Sequence, residues 1–474
     1  MKFKHFLFSL IYLACFSYAS TIKAQWETSF SGPGSSINWP YVFYVSVVDT
    51  NVVWASLANL EELYSANEII RTSNGGQNWV RKNTPAASFN SYNINLFAQD
   101  SLTAWVTRVS LPNEDSTTIY KTIDGGDNWL EVSLPFSNNV ATVIAIHFFN
   151  LIDGFAYAET HDGSSWYIEC YYTNDGGSNW EVATTPNMVG ERVFIWHGNN
   201  NYAVQGDTIW FGTSLSRVFR SIDKGVNWEA FSVPFYHIRM AESVAFLDSK
   251  NGIVATALSD SFLVGGLAFN DAVRTDDGGE TWTRIPIPHE NIMIDPRMMG
   301  LCAVPGSNGV YMLNGYRQTD LVYQQMISED NGLTWYYVEG AESKVRCMQF
   351  ISPTQGWGGG WNYFGNGLIE KIFKWSGPPL IGIGTTKTNE WNKLQASIKL
   401  WPNPTVDNAF LQIANSENEE YTIEIFDLSG KLVLYTKQKS NISNSLDLKN
   451  WEAGAYIVKI TGENTGTARA LIKQ

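Results

Sequence analysis

The chain has 474 residues, with 32 Lys and Arg against 46 Asp and Glu, a formal net charge of −14 and a pI near 4.9. Without a run of Lys or Arg, that balance excludes a protein that neutralises nucleic-acid phosphates, which takes clustered cations. With 19 Trp, 22 Tyr and 25 Phe and only 16% charged residues, the sequence can fill a large core, so disorder is excluded as its main state. At this length two or three domains are expected.

Residues 1–24 read as a secretory signal peptide. Met1-Lys2-Phe3-Lys4 is a basic start, Phe6 to Phe16 is a short apolar stretch, and small residues follow, with cleavage expected after Ala19 or Ala24. The stretch is too short to span a bilayer, and no later apolar run is long enough, so no transmembrane segment is expected. Cys15 leaves with the leader. The remaining Cys170, Cys302 and Cys347 are odd in number, which excludes a disulfide framework and predicts buried free thiols in strands.

From residue 72 one pattern recurs. It begins as Thr72-x-Asn74-x-Gly76-x-Asn78-Trp79, Thr122-x-Asp124-x-Gly126-x-Asn128-Trp129 and Thr173-x-Asp175-x-Gly177-x-Asn179-Trp180. It continues as Ser221-x-Asp223-x-Gly225-x-Asn227-Trp228, Thr275-x-Asp277-x-Gly279-x-Thr281-Trp282 and Ser328-x-Asp330-x-Gly332-x-Thr334-Trp335. Successive tryptophans are 50, 51, 48, 54 and 53 residues apart, a period that means an array or a propeller of stacked supersecondary units. Upstream of each box an apolar strand, a polar turn and a second apolar strand recur, as in Phe97-Ala-Gln-Asp100 before Ala104-Trp105-Val106. Each repeat therefore reads as one four-stranded antiparallel blade.

Seven such hairpins accompany six boxes, and the chain ends account for the difference. Trp26 lies 53 residues before Trp79, in the slot of a box tryptophan, while Ile369 to Trp375 supplies a third strand with no box after it. The expected fold is all-β: a seven-bladed β-propeller over residues 25–378, closed by the N-terminal strand from Gln25, which removes an open sheet edge. The boxes resemble Asp-box (bacterial neuraminidase) repeats. That resemblance implies that each box is the turn between third and fourth strands, with Asn74, Asp124, Asp175, Asp223, Asp277 and Asp330 as structural residues. The chemistry agrees, because an Asp or Asn side chain can accept N–H groups of its own turn, Gly permits positive φ and Trp plugs a blade interface.

Residues 379–396 read as a Gly/Thr/Asn-rich linker, and residues 397–474 as a small β-sandwich with period-two alternation. This tail resembles the type A C-terminal sorting domain of the type IX (Por) secretion system. Its motif residues are Pro402, Asn403 and Pro404 after Trp401, Asp427, Gly430 and Lys431 in one turn, Gly454 and Tyr456, and the terminal Ile472-Lys-Gln474. The resemblance implies export across the inner membrane, recognition of the tail by the type IX outer-membrane machinery, removal of the tail, and release or surface attachment in a Bacteroidetes-type host.

No catalytic constellation, metal cluster or phosphate loop stands out, and neither a cofactor nor a metal is expected. Arg284-Ile285-Pro286 echoes a sialidase motif but follows a box tryptophan, on an outer strand. The leading expectation is a secreted or surface non-catalytic binding propeller; the alternative is a sialidase-like or xyloglucanase-like glycoside hydrolase. A glycan or protein ligand is expected at the axial mouth where the loops between blades meet those between second and third strands. The residues that could point there are Arg108, Arg192, Tyr236, His237, Arg239, Arg297, Tyr316, Arg317, Arg346 and Trp361.

Overall fold

The computed structural model describes residues 26–32, 40–59, 68–85, 91–110, 116–136, 141–193, 201–235, 241, 243–256, 271–285, 287, 300–317, 322–338, 345–364, 367–382, 398–402, 404–413, 420–427, 431–461 and 466–473. The expected signal peptide and its expected cleavage positions lie outside them. The chain divides into two compact units, one ending at Gly382 and the other running from Ile383 to Gln474.

Among the described residues the first unit is built from seven four-stranded antiparallel groups. Sheet 1 is Pro40–Val47, Val53–Asn59, Glu68–Thr72 and Val80–Asn83; sheet 2 is Ser91–Ala98, Ala104–Ser110, Ser116–Thr122 and Leu130–Val132. Sheet 3 is Ala141–Phe148, Gly154–His161, Trp166–Thr173 and Glu181–Val182; sheet 4 is Tyr202–Gln205, Thr208–Thr213, Arg217–Ser221 and Glu229–Ser232. Sheet 5 is Ser243–Phe246, Gly252–Thr256, Asp271–Thr275 and Thr283–Ile285; sheet 6 is Gly300–Ala303, Tyr311–Arg317, Val322–Ser328 and Tyr336–Tyr337. A single parallel bridge, Ala141 to Ser116, joins sheets 2 and 3.

Sheet 7 takes three strands from the end of the unit, Val345–Ser352, Gln355–Phe364 and Gly367–Trp375. Its fourth is the N-terminal strand Trp26–Ser31, which runs antiparallel to Gly367–Trp375 with Trp26 opposite Trp375 and Ser31 opposite Lys371. Trp26 packs edge-on against Phe350 and Trp375, with ring centres 5.7 and 5.3 Å away, and its Nε1 donates to Gln325 Oε1 of sheet 6 at 2.8 Å.

Burial follows strand order. Ala141–Phe148 and Gly154–His161 are buried almost throughout, as first and second strands covered on both faces must be, and so they read as continuous apolar runs. Outer strands such as Val80–Asn83 and Glu181–Val182 are mostly exposed. The first strand of sheet 1 packs against the first strands of both sheet 2 and sheet 7, and first strands of sheets 4 to 7 pack on one another in sequence. Sheets 3 and 4 meet through Tyr157 and Phe211, stacked with ring centres 4.5 Å apart. The arrangement is all-β and propeller-like, and no described helix is long and apolar enough to cross a membrane.

The three cysteines sit buried and free, in strands of sheets 3, 6 and 7. Leu380 is fully buried in the core shared by sheets 6 and 7, and its N–H donates to Pro353 at 2.9 Å. Residues 379–382 thus pack with the first unit, beyond the boundary at 378 expected from composition.

The second unit has a three-stranded sheet, Ile398–Trp401, Asn408–Ile413 and Ser443–Asp447. Its four-stranded sheet is ordered Leu432–Lys439, Glu420–Asp427, Gly454–Thr461, Gly466–Lys473. Alternate residues, including Ala409, Leu411, Ile423, Ile425, Val458 and Ile460, form one buried cluster, which is the period-two pattern at work.

Candidate functional site

The boxes hold the turns at one end of the sheets. In the second box Thr122 Oγ1 donates to Asp124 Oδ1 at 2.9 Å and accepts the Gly126 N–H at 2.9 Å. Asp124 in turn accepts the Asn128 N–H at 2.9 Å and its side-chain amide at 2.8 Å. The same bonds recur around Asp175, Asp223, Asp277 and Asp330, with Thr281 and Thr334 hydroxyls replacing the amide in the last two. Asn74 repeats the essential part with Oδ1 alone, taking Thr72 Oγ1 at 3.0 Å and the Asn78 N–H at 2.9 Å. Bonds from the Asn128 and Asn179 backbones hold the Asp124 and Asp175 carboxyls down at about 2. The box side chains are thus engaged inside their own turns, and Gly126 at φ 91° supplies the conformation the tight turn needs.

Cations on third strands tie neighbouring sheets together at this end. Arg71 donates to the Gly125 carbonyl of the next box at 2.9 Å, and Lys121 to Gly176 at 3.1 Å. Arg220 reaches Gly278 at 3.1 Å, and Lys374 of the last sheet reaches Gly75 of the first box at 3.2 Å. Three of them also lie over a second-strand indole, Arg71 on Trp54, Lys121 on Trp105 and Lys374 on Trp357, at 5.3, 4.8 and 5.0 Å.

A cavity of about 430 Å³ lies among the ends of the seven first strands, where each leads into the turn to its second strand. Its wall draws on residues from all seven groups, from Tyr44–Val48 in sheet 1 round to Met348–Phe350 in sheet 7. Phe97, Phe149, Phe246 and Phe350 make it aromatic; Gln99, Gln349, His147, Tyr44 and Tyr202 supply its polar atoms. Among the described lining residues there is no Asp, Glu, Lys or Arg.

The polar groups are partly tied. Gln349 Oε1 accepts the Val47 N–H at 2.9 Å, linking sheets 7 and 1, and Asn95 Nδ2 donates to Tyr44 Oη at 2.9 Å, linking sheets 2 and 1. Tyr202 Oη lies 3.4 Å from His147 Nδ1. Burial against Phe97, Phe149 and Phe155 lowers the His147 imidazole to about 3, so it is neutral at any ordinary pH. Burial likewise pushes the Cys302 thiol up to about 12, which leaves it protonated and a poor nucleophile. The chemistry on offer is apolar contact with neutral hydrogen bonding.

Of the residues expected at the axial mouth, the three with described side chains, Arg108, Arg192 and Arg346, do not line this cavity. Tyr236, His237, Arg239 and Arg297 lie outside the described residues, and Tyr316, Arg317 and Trp361 are placed only as backbone, in sheets 6 and 7. The three with described side chains lie at the opposite end of their sheets. Arg108 is buried opposite Asn93, donating to Thr84 Oγ1 at 3.1 Å and the Pro85 carbonyl at 2.6 Å. Arg192 pairs with the buried Glu159 and stacks on Trp166 at 4.1 Å. Arg346 is buried over the Phe43 ring at 4.7 Å. The cavity wall carries no signature in the sequence because its residues share a register rather than an identity: Ser46, Phe97, His147 and Ala245 occupy one level in four sheets.

In the second unit the two ends meet. Thr405, just after exposed Pro402 and Pro404, donates its N–H to Ile472 at 2.8 Å, and Lys473 Nζ bonds the Val406 carbonyl. Asp427 and Lys431 close their turn by Asp427 N–H to Lys431 O and Lys431 N–H to Asp427 Oδ1, both 3.0 Å. Gly454 opens an exposed strand end, and Tyr456 Oη donates to Glu452 O at 2.8 Å beside Trp451. Asn403 and Gly430 lie outside the described residues.

Residues 399–474 match the secretion system C-terminal sorting domain family. The sorting domain implies interaction with the type IX secretion machinery and export to the cell surface or beyond. No curated protein matches the chain. Among solved structures, "YCF48 bound to D1 peptide" is 17% identical, covering 75% of this chain and 98% of its own, with a TM-score of 0.49. A Hadza microbial sialidase is 13% identical over 73% of this chain and 91% of its own, TM-score 0.38. The GH74 xyloglucanase from Xanthomonas campestris is 11% identical over 89% of this chain and 65% of its own, TM-score 0.27. At TM-scores below 0.5 neither an activity nor a ligand follows from these likenesses.

Proposed function

We propose that the first unit is a closed seven-bladed Asp-box propeller that acts as a non-catalytic binding module, delivered to the cell surface or medium by its sorting domain. The observation that carries this reading is the lining of the axial cavity, contributed by all seven first strands and built from aromatic, aliphatic and neutral polar side chains. Hydrolysis of a glycosidic bond needs a carboxylate pair at the scissile bond, or a tyrosine nucleophile in the sialidase variant. Among its described residues this wall has no carboxylate, and burial raises the pKa of both its tyrosines, Tyr44 and Tyr202, which supports retention of a ligand over turnover. In this reading residues 1–24 are the leader, the linker follows the propeller, and processing removes the tail.

The test is a glycan and peptide array probed with the exported protein, with hydrolysis assays on sialosides and β-glucans alongside. Binding that is lost in a variant with the cavity filled, Ala203→Trp, and that is unaccompanied by turnover supports the proposal. Turnover abolished by replacing one Asp or Glu at either mouth would replace it with the hydrolase.

A further inference from the structure

Resting on that reading, we infer that the occupant of the cavity is a cationic polypeptide segment that inserts a large apolar side chain, docking across the end of the ring formed by the boxes and first turns. Two features of that end meet there. The first is apolar. Gln99 and Phe149 of the cavity wall are followed within three residues by Leu102, Leu151 and Ile152, which are 49%, 75% and 54% exposed. Ile123 and Ile222, in the boxes of sheets 2 and 4, are 61% and 66% exposed. Several exposed aliphatics on the turns beside the cavity and on the boxes at the same end suit an apolar contact site, whereas an isolated one would need no explanation.

The second feature is charge, and it selects the occupant. Five of the six boxes and five of the seven turns between first and second strands carry at least one carboxylate, against two lysines, Lys224 and Lys250, and no arginine. Lys224 is already paired with Asp153 at 2.6 Å. Arg71, Lys121, Arg220 and Lys374 lie half-buried beneath the boxes and bond to backbone carbonyls, while Lys82, Arg274 and Arg220 pair with the box carboxylates Asp127, Asp276 and Glu280, which still leaves carboxylates in excess. What faces solvent is therefore anionic around a neutral apolar hole. Such a face repels acidic glycans, while it attracts lysine and arginine side chains flanking a Phe, Leu or Trp that fills the hole.

The experiment measures binding of the full exported protein to a lysine-flanked Phe peptide, its glutamine-flanked and glutamate-flanked counterparts, and a neutral oligosaccharide. The lysine-flanked peptide is expected to bind at least about tenfold more tightly than the glutamine-flanked one, with the difference collapsing between about 50 and about 300 mM salt. Leu151→Ser combined with Ile152→Ser, both on exposed positions, should weaken it about fivefold, and Ala203→Trp or Ala303→Trp should abolish it. If the neutral peptide or the oligosaccharide binds as well as the lysine-flanked peptide and is displaced by Ala203→Trp, the binding reading stands and this inference is overturned. If no probe responds to either cavity-filling substitution, both fall.

Discussion

Replacing Trp26 by Ala tests whether the chain end closes the ring. The indole donates one hydrogen bond to Gln325, at 2.8 Å, and touches two aromatic rings, Phe350 and Trp375. The lost bond is worth about 1 kcal/mol and each aromatic contact roughly 0.5–1.5 kcal/mol, so about 3 kcal/mol is expected. That is at the low end for deletion of a fully buried Trp side chain, in keeping with its half-buried position. At an m-value of about 3 kcal/mol/M, the urea midpoint of the propeller falls by about 1 M. Far-UV circular dichroism is the assay, since the substitution removes a fluorophore. Trp26→Phe, which keeps ring packing but loses the N–H, should recover about half of the loss. Removing Trp26–Ser31 altogether should cost more than the point change, because it bares the whole edge of Gly367–Trp375. A midpoint for Trp26→Ala indistinguishable from the parent would refute closure by the N-terminal strand.

Gly359→Ala should lose about 2–3 kcal/mol by overpacking, since a Cβ there would drive into Val42 and the Cys347 thiol where the last sheet meets the first; an unchanged thermal midpoint would deny that contact. The Asp124 and Asp175 carboxyls are held below their ordinary range, so their contribution to stability is complete above about pH 4 and drains away as pH falls toward 2. Asp124→Asn with Asp175→Asn, which copies the Asn74 arrangement, should therefore flatten the pH dependence of stability over that interval while keeping the fold at pH 7; an unaltered profile would contradict it. A chain ending at Gly382, which retains buried Leu380, should fold yet stay in the periplasm of its host; cell fractionation showing normal surface delivery would sink the sorting role of the tail.

Much of the fold was legible because the boxes repeat chemistry as well as spacing. A Thr or Ser hydroxyl two residues before an Asp or Asn, and a Gly two residues after it, is the set of groups that the turn uses in its hydrogen bonds, as Thr122, Asp124 and Gly126 show. Trp26 was legible for a related reason, since only its distance from Trp79 gave it a place. The cavity was not, because a position facing the axis is fixed by strand register and tolerates Ser46, Phe97, His147 or Ala245 alike. Cations misled for a physical reason too: a sequence shows Arg108 as a charge, while the fold spends it on Thr84 and Pro85 inside the protein. Four first strands shift register at a bulge, at Phe43, Ile94, Ile144 and Arg346, and nothing in local composition marks these positions.

The central claim is that the axial cavity binds and does not catalyse, and titration calorimetry on the exported protein tests it most directly. With a ligand taken from the array, the parent should bind one equivalent with unchanged ligand recovered at the end, while Ala203→Trp and Ala303→Trp should each weaken binding by at least about a hundredfold, or 2.7 kcal/mol, with little change in thermal midpoint. Equal affinity in parent and filled variants, or recovery of a cleaved ligand, would contradict it.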